Sequence, residues 1–253
     1  MTLVLYDGSW MGFLTLVFEV YEYKIAEPSI GKMGSANGSL FGTAHEVMTS
    51  EEKAMRVLKK LQQKVSLVAL RQLRHNFLSE LDGIEMVMLG YIQYVLASKY
   101  GVENDYGHPC VFAVQENSRK VLREKHRMEA FVRFQLTKDG LYYAIVQPDY
   151  NVLPLIAKHF KDRYADQRWL IYDAQRKYGI CYDLETVSEV QLHFSHDMNN
   201  GTALDNLYDE REPLYQTLWQ QYFKTVDIAA RKNTKLHVQH MPKRYWKYLV
   251  EKQ

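Results

Sequence analysis

At 253 residues, 47% hydrophobic and 25% charged, the chain has the composition of a globular protein with a sizeable core, as one large domain or two small ones. Two cysteines, Cys110 and Cys181, stand outside any C-x-x-C pair; this excludes a disulfide framework and a cysteine-built metal or iron–sulfur site, and points to a reducing compartment. The formal charge of +2 hides an asymmetry, because residues 231–253 carry seven Lys or Arg and one acid, Glu251, leaving 25 basic and 29 acidic residues elsewhere.

In chain order, Thr2 to Tyr6 reads as a strand and Asp7-Gly8-Ser9 as a turn, with Ser9 placed to cap a helix. Trp10 to Tyr23 then reads as a buried helix with Phe13, Leu14, Val17, Phe18 and Tyr21 on one face. The Gly-, Ser- and Pro-rich stretch from Glu27 to Thr43 is expected to be loop or irregular strand. Thr49 and Glu52 have the spacing of a capping box opening a helix to Leu61. Helical patterning resumes from Val65 to about Lys99, with a break near Asp82-Gly83. Val111 to His126 is a further helix, rich in Arg and Lys on one side.

The middle third changes character. Ala130 to Leu136 and Leu141 to Gln147 alternate apolar and polar residues around Lys138-Asp139-Gly140, a hairpin signal. Leu153 to Tyr164 reads as a short helix, Trp169 to Tyr172 and Gly179 to Tyr182 as a second hairpin, and Val187 to Phe194 as a strand. A long aromatic-rich helix is expected over Leu207 to Ile228, and Pro242 suits the start of a last helix, Lys243 to Glu251. The fold class is therefore α+β, with helices around a small antiparallel sheet formed mainly by the middle third. A mainly helical lobe over 1–105 and an α+β lobe over 106–253, possible halves of one continuous domain, have their boundary at Gly101 to Pro109. Neither Met1 to Tyr6, which lacks a basic leader, nor Trp10 to Tyr21, interrupted by Glu19, has the form of a leader or a membrane span, so the protein is expected in the cytoplasm without a membrane partner.

The Arg and Lys distribution is the best chemical signal. Arg119, Lys120, Arg123, Lys125, Arg127 and Arg133 form one cluster, and Arg163, Arg168, Arg176 and Lys177 a second. Shared on one face with the C-terminal cations, they would track phosphates, with Tyr and Trp as stacking platforms. Solvated faces paired with Glu124, Asp162, Asp166 and Asp173 are the alternative. Two H-x-x-H pairs, His193/His196 and His237/His240, lack an identifiable third ligand, so no metal site is expected. The glycine-rich run Gly31 to Gly38 lacks the order of a phosphate loop, and His108-Pro109-Cys110 lacks the paired cysteines of a zinc deaminase. His126, Asp149 and His159 are candidate catalytic residues if they converge, although Asp149 also suits a helix cap, and no cofactor is expected.

Three stretches carry a family resemblance: His126-Arg127-Met128-Glu129-Ala130-Phe131-Val132-Arg133-Phe134; Pro148-Asp149 through His159-Phe160 to Arg168-Trp169; and Tyr222-Phe223-Lys224-Thr225 through Met241-Pro242-Lys243-Arg244-Tyr245-Trp246. With Leu5-Tyr6-Asp7-Gly8-Ser9 near the start, they resemble the bacterial "probable DNA metabolism protein" family over nearly the whole chain; Glu129 departs from the small residue of its first motif. That resemblance implies a domain found fused to uracil-DNA-glycosylase-like domains, or encoded beside a radical SAM protein. It brings no catalytic residues with it. The resulting expectation is a DNA-binding accessory protein in repair or base modification, with DNA and the radical SAM protein as partners. Arg127, Arg133, Arg163, Arg168, Lys235, Lys243 and Arg244 would contact phosphates, while Tyr245 and Trp246 stack or pack at the edge. The alternatives are an enzyme acting on nucleic acid or a modified base, or a module that only docks the radical SAM protein.

Overall fold

Two compact units divide the chain, Met1–Leu122 and Arg123–Gln253. The computed structural model describes residues 2–34, 44–191, 238–249 and 252. The α+β class holds.

The first unit begins with β1 (Thr2–Tyr6), α1 (Trp10–Glu22), β2 (Pro28–Lys32) and β3 (Ala44–Glu46). Both outer strands run parallel to β1, pairing Val4 with Ile30 on one side and with His45 on the other. The stretch from Glu27 to Thr43, expected to be loop or irregular strand, contains β2, and Pro28 is tolerated at its first position. Residues 35–43 lie outside the described residues.

Gly8 takes a positive φ of 79° in the turn after β1, and the Ser9 hydroxyl accepts from the Gly12 amide at 2.9 Å, as expected of a cap. The apolar face of α1 is wider than expected. Phe13, Leu14, Leu16, Val17 and Val20 are buried, whereas Tyr21 is 47% exposed.

Three helices complete the core: α2 (Glu51–Gln62), α3 (Leu67–Ser79) and α4 (Ile84–Ala97). The cap of α2 falls one residue later than expected. Ser50 accepts from the Lys53 amide, while the Thr49 hydroxyl donates instead to Asp7 Oδ2 at 2.8 Å. The α3–α4 break lies at Glu80 and Gly83, both with positive φ. Leu61, Leu73, Met88, Leu89 and Ile92 close over Val4, Tyr6 and Phe13.

Glu80, in the left-handed region, ends α3, and Gly83 of the expected Asp-Gly break starts α4. The division between units falls within α5 (Pro109–Phe131). Its length corrects the expected strand from Ala130, since only β4 (Gln135–Leu136) forms there. Arg133 Nη1 donates to the carbonyls of Ala130 at 2.8 Å and Val132 at 3.2 Å, which satisfies the helix end.

The second unit continues with β5 (Tyr142–Val146), α6 (Leu153–Arg163), β6 (Trp169–Asp173), β7 (Tyr178–Tyr182) and β8 (Val187–Val190). The five strands order β4-β5-β6-β7-β8, with β5 and β6 parallel and every other pairing antiparallel. The two expected hairpins are present. The parallel pair between them requires a crossover, which α6 supplies.

Trp169 is fully buried beside Phe160 and Tyr182, with ring centroids 6.2 and 5.5 Å away, and Phe134 packs edge-on to Phe160. Past the undescribed stretch, Lys243–Tyr248 is a 3₁₀ helix, shorter than the helix expected to Glu251. The expected helix over Leu207 to Ile228, together with His193, His196, His237 and Lys235, lies outside the described residues.

One buried charge in the first unit sets a pH dependence. Glu19, on α1, receives Lys53 Nζ at 2.8 Å and lies 2.7 Å from His45 Nε2. Burial pushes its carboxyl up, but the bonds and charges of Lys53 and His45 outweigh it and hold the group below its ordinary 4.5. A carboxyl lowered on folding adds stability above its unfolded value and loses it as the pH falls through the folded one. Glu19→Gln is therefore expected to lower stability near neutral pH by on the order of 1–2 kcal/mol and to flatten its decline below about pH 4.5. Urea denaturation across a pH series, followed by circular dichroism, measures both.

Candidate nucleic-acid interface

Because β5 and β6 are parallel, their carboxyl ends lie side by side, with Val146 registered against Asp173. Such an edge, where two loops leave in the same direction, is where α/β units gather polar side chains. Fully buried Asp173 holds the turn after β6. It accepts from the amides of Gln175 and Arg176, at 2.9 and 3.2 Å, and from Arg176 Nη1 at 2.9 Å. The Arg176 guanidinium then reaches the loop after β5, donating to the carbonyls of Pro148 and Asp149, each at 3.1 Å.

The centre of the edge is Glu124 on α5, only 1% exposed. Its carboxylate accepts from the Asp149 amide at 2.9 Å and from Arg244 Nη2 at 3.0 Å, with Arg127 Nη1 at 3.6 Å. The buried Tyr245 phenol lies 2.6 Å from both Glu124 oxygens and accepts in turn from Arg244. Burial, then the bond to Glu124 and its charge, push the phenol far above its ordinary value, so Tyr245 is a neutral donor.

Arg244 Nη2 also lies 2.6 Å from Asp149 Oδ2, on the solvent side. Burial and the Glu124 charge raise the Asp149 carboxyl, against the opposing charges of Arg244, Arg127 and Arg176. Lys247 and the Tyr248 hydroxyl both donate to Gln147 Oε1, at 2.6 and 3.0 Å. The 3₁₀ helix is thus fastened to the loop after β5 by side chains on several of its residues.

The candidate residues divide by place. Arg127, Arg244 and Tyr245 come together around Glu124, with Asp149 beside them. Arg133 caps α5, and Arg168 Nη2 donates to the Asp139 carbonyl at 3.0 Å in the first hairpin. Arg163 lies over the ring of its neighbour Tyr164, 5.7 Å from the centroid. Lys243 is exposed, 5.9 Å over the Trp246 ring, and the Trp246 indole donates to the Met241 carbonyl at 3.0 Å. His159 is 3.8 Å from Glu129, and His126 stands exposed on α5. No hydrogen bond or ion pair joins any two of His126, Asp149 and His159.

Among the described residues, no group of three His, Cys, Asp or Glu could hold a metal, and no helix is long and apolar enough to cross a membrane.

Residues 82–251 match DUF4130, a domain of unknown function. The chain belongs to the DUF4130 family. No curated protein and no solved structure matches it. The DUF4130 match includes every residue of the Glu124 cluster, from α5 to the 3₁₀ helix.

Sequence reasoning missed the centrality of Glu124 and the bracing role of Arg176. The i,i+3 spacing of Glu124 and Arg127 was a signal for a pair, but one of three acids spaced along a basic helix has the pattern of a solvated face. Its burial depends on Tyr245, 121 positions away.

In this DUF4130 domain, Tyr245→Phe removes the phenol that satisfies the buried carboxylate. The substitution is expected to cost on the order of 1.5–3 kcal/mol and to speed amide exchange in residues 243–248. Denaturation, with hydrogen exchange read by mass spectrometry, measures both. Unchanged protection at 243–248 would refute the anchoring role.

Proposed function

We propose that this chain is a DNA-binding accessory protein acting in repair or base modification, in the cytoplasm, beside a radical SAM protein. The observation that carries the reading is the manner in which the cations of the 3₁₀ helix are held. Tyr245 is buried while Lys243, Arg244 and Lys247, around it in sequence, are exposed. A basic segment anchored in this way loses little conformational entropy when it meets a phosphate backbone, and the positive charge supplies sequence-independent attraction. Arg127, 29% exposed and set by the same carboxylate as Arg244, adds a further cation to that edge.

The partner and the DNA-metabolism setting come from the family resemblance of the Met241-Pro242-Lys243-Arg244-Tyr245-Trp246 and His126–Phe134 motifs. Base stacking has a smaller share in this reading than phosphate contact. Tyr245 is enclosed, and the Trp246 ring is engaged by Lys243 and by Lys252, at 5.9 and 5.4 Å from its centroid.

DNA affinity is expected to fall steeply with salt, with log K against log [salt] sloping by about −0.9 for each phosphate neutralised. In Lys243→Ala/Arg244→Ala the slope should flatten by roughly one to two units and binding weaken at every salt concentration. Fluorescence anisotropy with a labelled duplex and a labelled single strand, with and without the radical SAM protein, measures this. Absence of binding at low salt, or unchanged binding in the double variant, would sink the assignment. Copurification with the radical SAM protein without DNA binding would favour a docking module.

A further inference from the structure

We infer that the Asp149 carboxylate occupies the position of a DNA phosphate on Arg244, so that it and the phosphate compete for one guanidinium. The inference rests on the DNA-binding reading and specifies how that surface is regulated. Two guanidiniums, Arg127 and Arg244, lie against the Glu124 carboxylate, at 3.6 and 3.0 Å. Glu124 is buried and forms the floor. Asp149, with 47% of its side chain exposed, closes the outer side 2.6 Å from Arg244 Nη2. Arg176 is committed elsewhere, to Asp173 and to two backbone carbonyls.

Charge decides what can bind there. Two cations against Glu124 and Asp149 sum to zero, so a phosphate added beside both carboxylates would leave the site with a net negative charge. One that replaces Asp149 leaves the balance intact and gains a charge-assisted bond to an arginine already oriented from behind. The exchange asks little of the backbone. The Asp149 amide stays on Glu124 at 2.9 Å and its carbonyl on Arg176 at 3.1 Å, so rotation of one short side chain opens the site. Burial and the neighbouring Glu124 already disfavour the charged carboxylate, which makes it the weaker claimant for Arg244.

The test compares wild type, Asp149→Asn, Arg244→Ala and the double variant for binding to a short duplex by anisotropy across a salt series, with Glu189→Gln as an exposed charge-matched control on β8. Asp149→Asn is expected to bind roughly threefold to tenfold more tightly at low salt, because the phosphate no longer has to displace a carboxylate from Arg244, with a salt slope no flatter than that of wild type. The double variant should bind no more tightly than Arg244→Ala, and Glu189→Gln should gain less than Asp149→Asn. If wild type binds DNA while Asp149→Asn binds equally or more weakly, or gains no more than Glu189→Gln, the competition is refuted and the DNA-binding reading survives. If neither wild type nor Asp149→Asn binds, both fall together. A thermal melt of Asp149→Asn within a few degrees of wild type separates these outcomes from misfolding. Should the variant unfold, the slope of Arg244→Ala alone decides: a value equal to wild type overturns the proposal.

Discussion

A carboxylate removed from water has to be neutralised and hydrogen-bonded where it stands, because burying an ion without partners costs several kcal/mol. Glu124 meets that demand with a phenol, two guanidiniums and a backbone amide, drawn from α5, the loop after β5 and the terminal 3₁₀ helix. Three segments distant in sequence therefore meet at one point. Arg244, Tyr245 and the Asp149 amide all turn toward that single charge. Buried ion pairs often add little net stability compared with apolar packing; what they add here is position, since the bonds to Glu124 are directional where apolar contacts are not.

The parallel pair of β5 and β6 gives the cluster its setting. With one crossover helix between them, the two strands send their following segments out over the same edge, and Arg176 ties one to the other through backbone carbonyls. An all-antiparallel arrangement would have turned those ends in opposite directions. Asp173, buried beneath the turn, does for Arg176 what Glu124 does for Arg244.

Much of the fold was legible because local chemistry fixed it. Ser9 as a cap, the Asp82-Gly83 break and the Lys138-Asp139-Gly140 turn all rest on backbone preferences acting within a few residues. Where the reading slipped, a non-local partner decided the outcome. Thr49 gave its hydroxyl to Asp7, 42 positions away, rather than to a helix end. The candidate site was legible in part. Arg127, Arg244, Tyr245 and Asp149 stood out as residues, but beyond the i,i+3 pair of Glu124 and Arg127 no spacing revealed that Glu124 joins them, nor that Arg133 and Arg168 serve as helix and hairpin braces. The three candidate catalytic groups illustrate the limit most plainly, since residue type alone carries no information about convergence.

The link between Glu124 and Tyr245 closes a loop of 121 positions. During synthesis the middle sheet and α5 emerge long before that phenol does, and a contact of such separation is expected to form late. Until then Glu124 lacks the phenol that satisfies it in the folded unit. Arrival of the last aromatic residues converts a solvated acid into an interior one. The 3₁₀ helix thus fastens the second unit and carries cations on the same few residues.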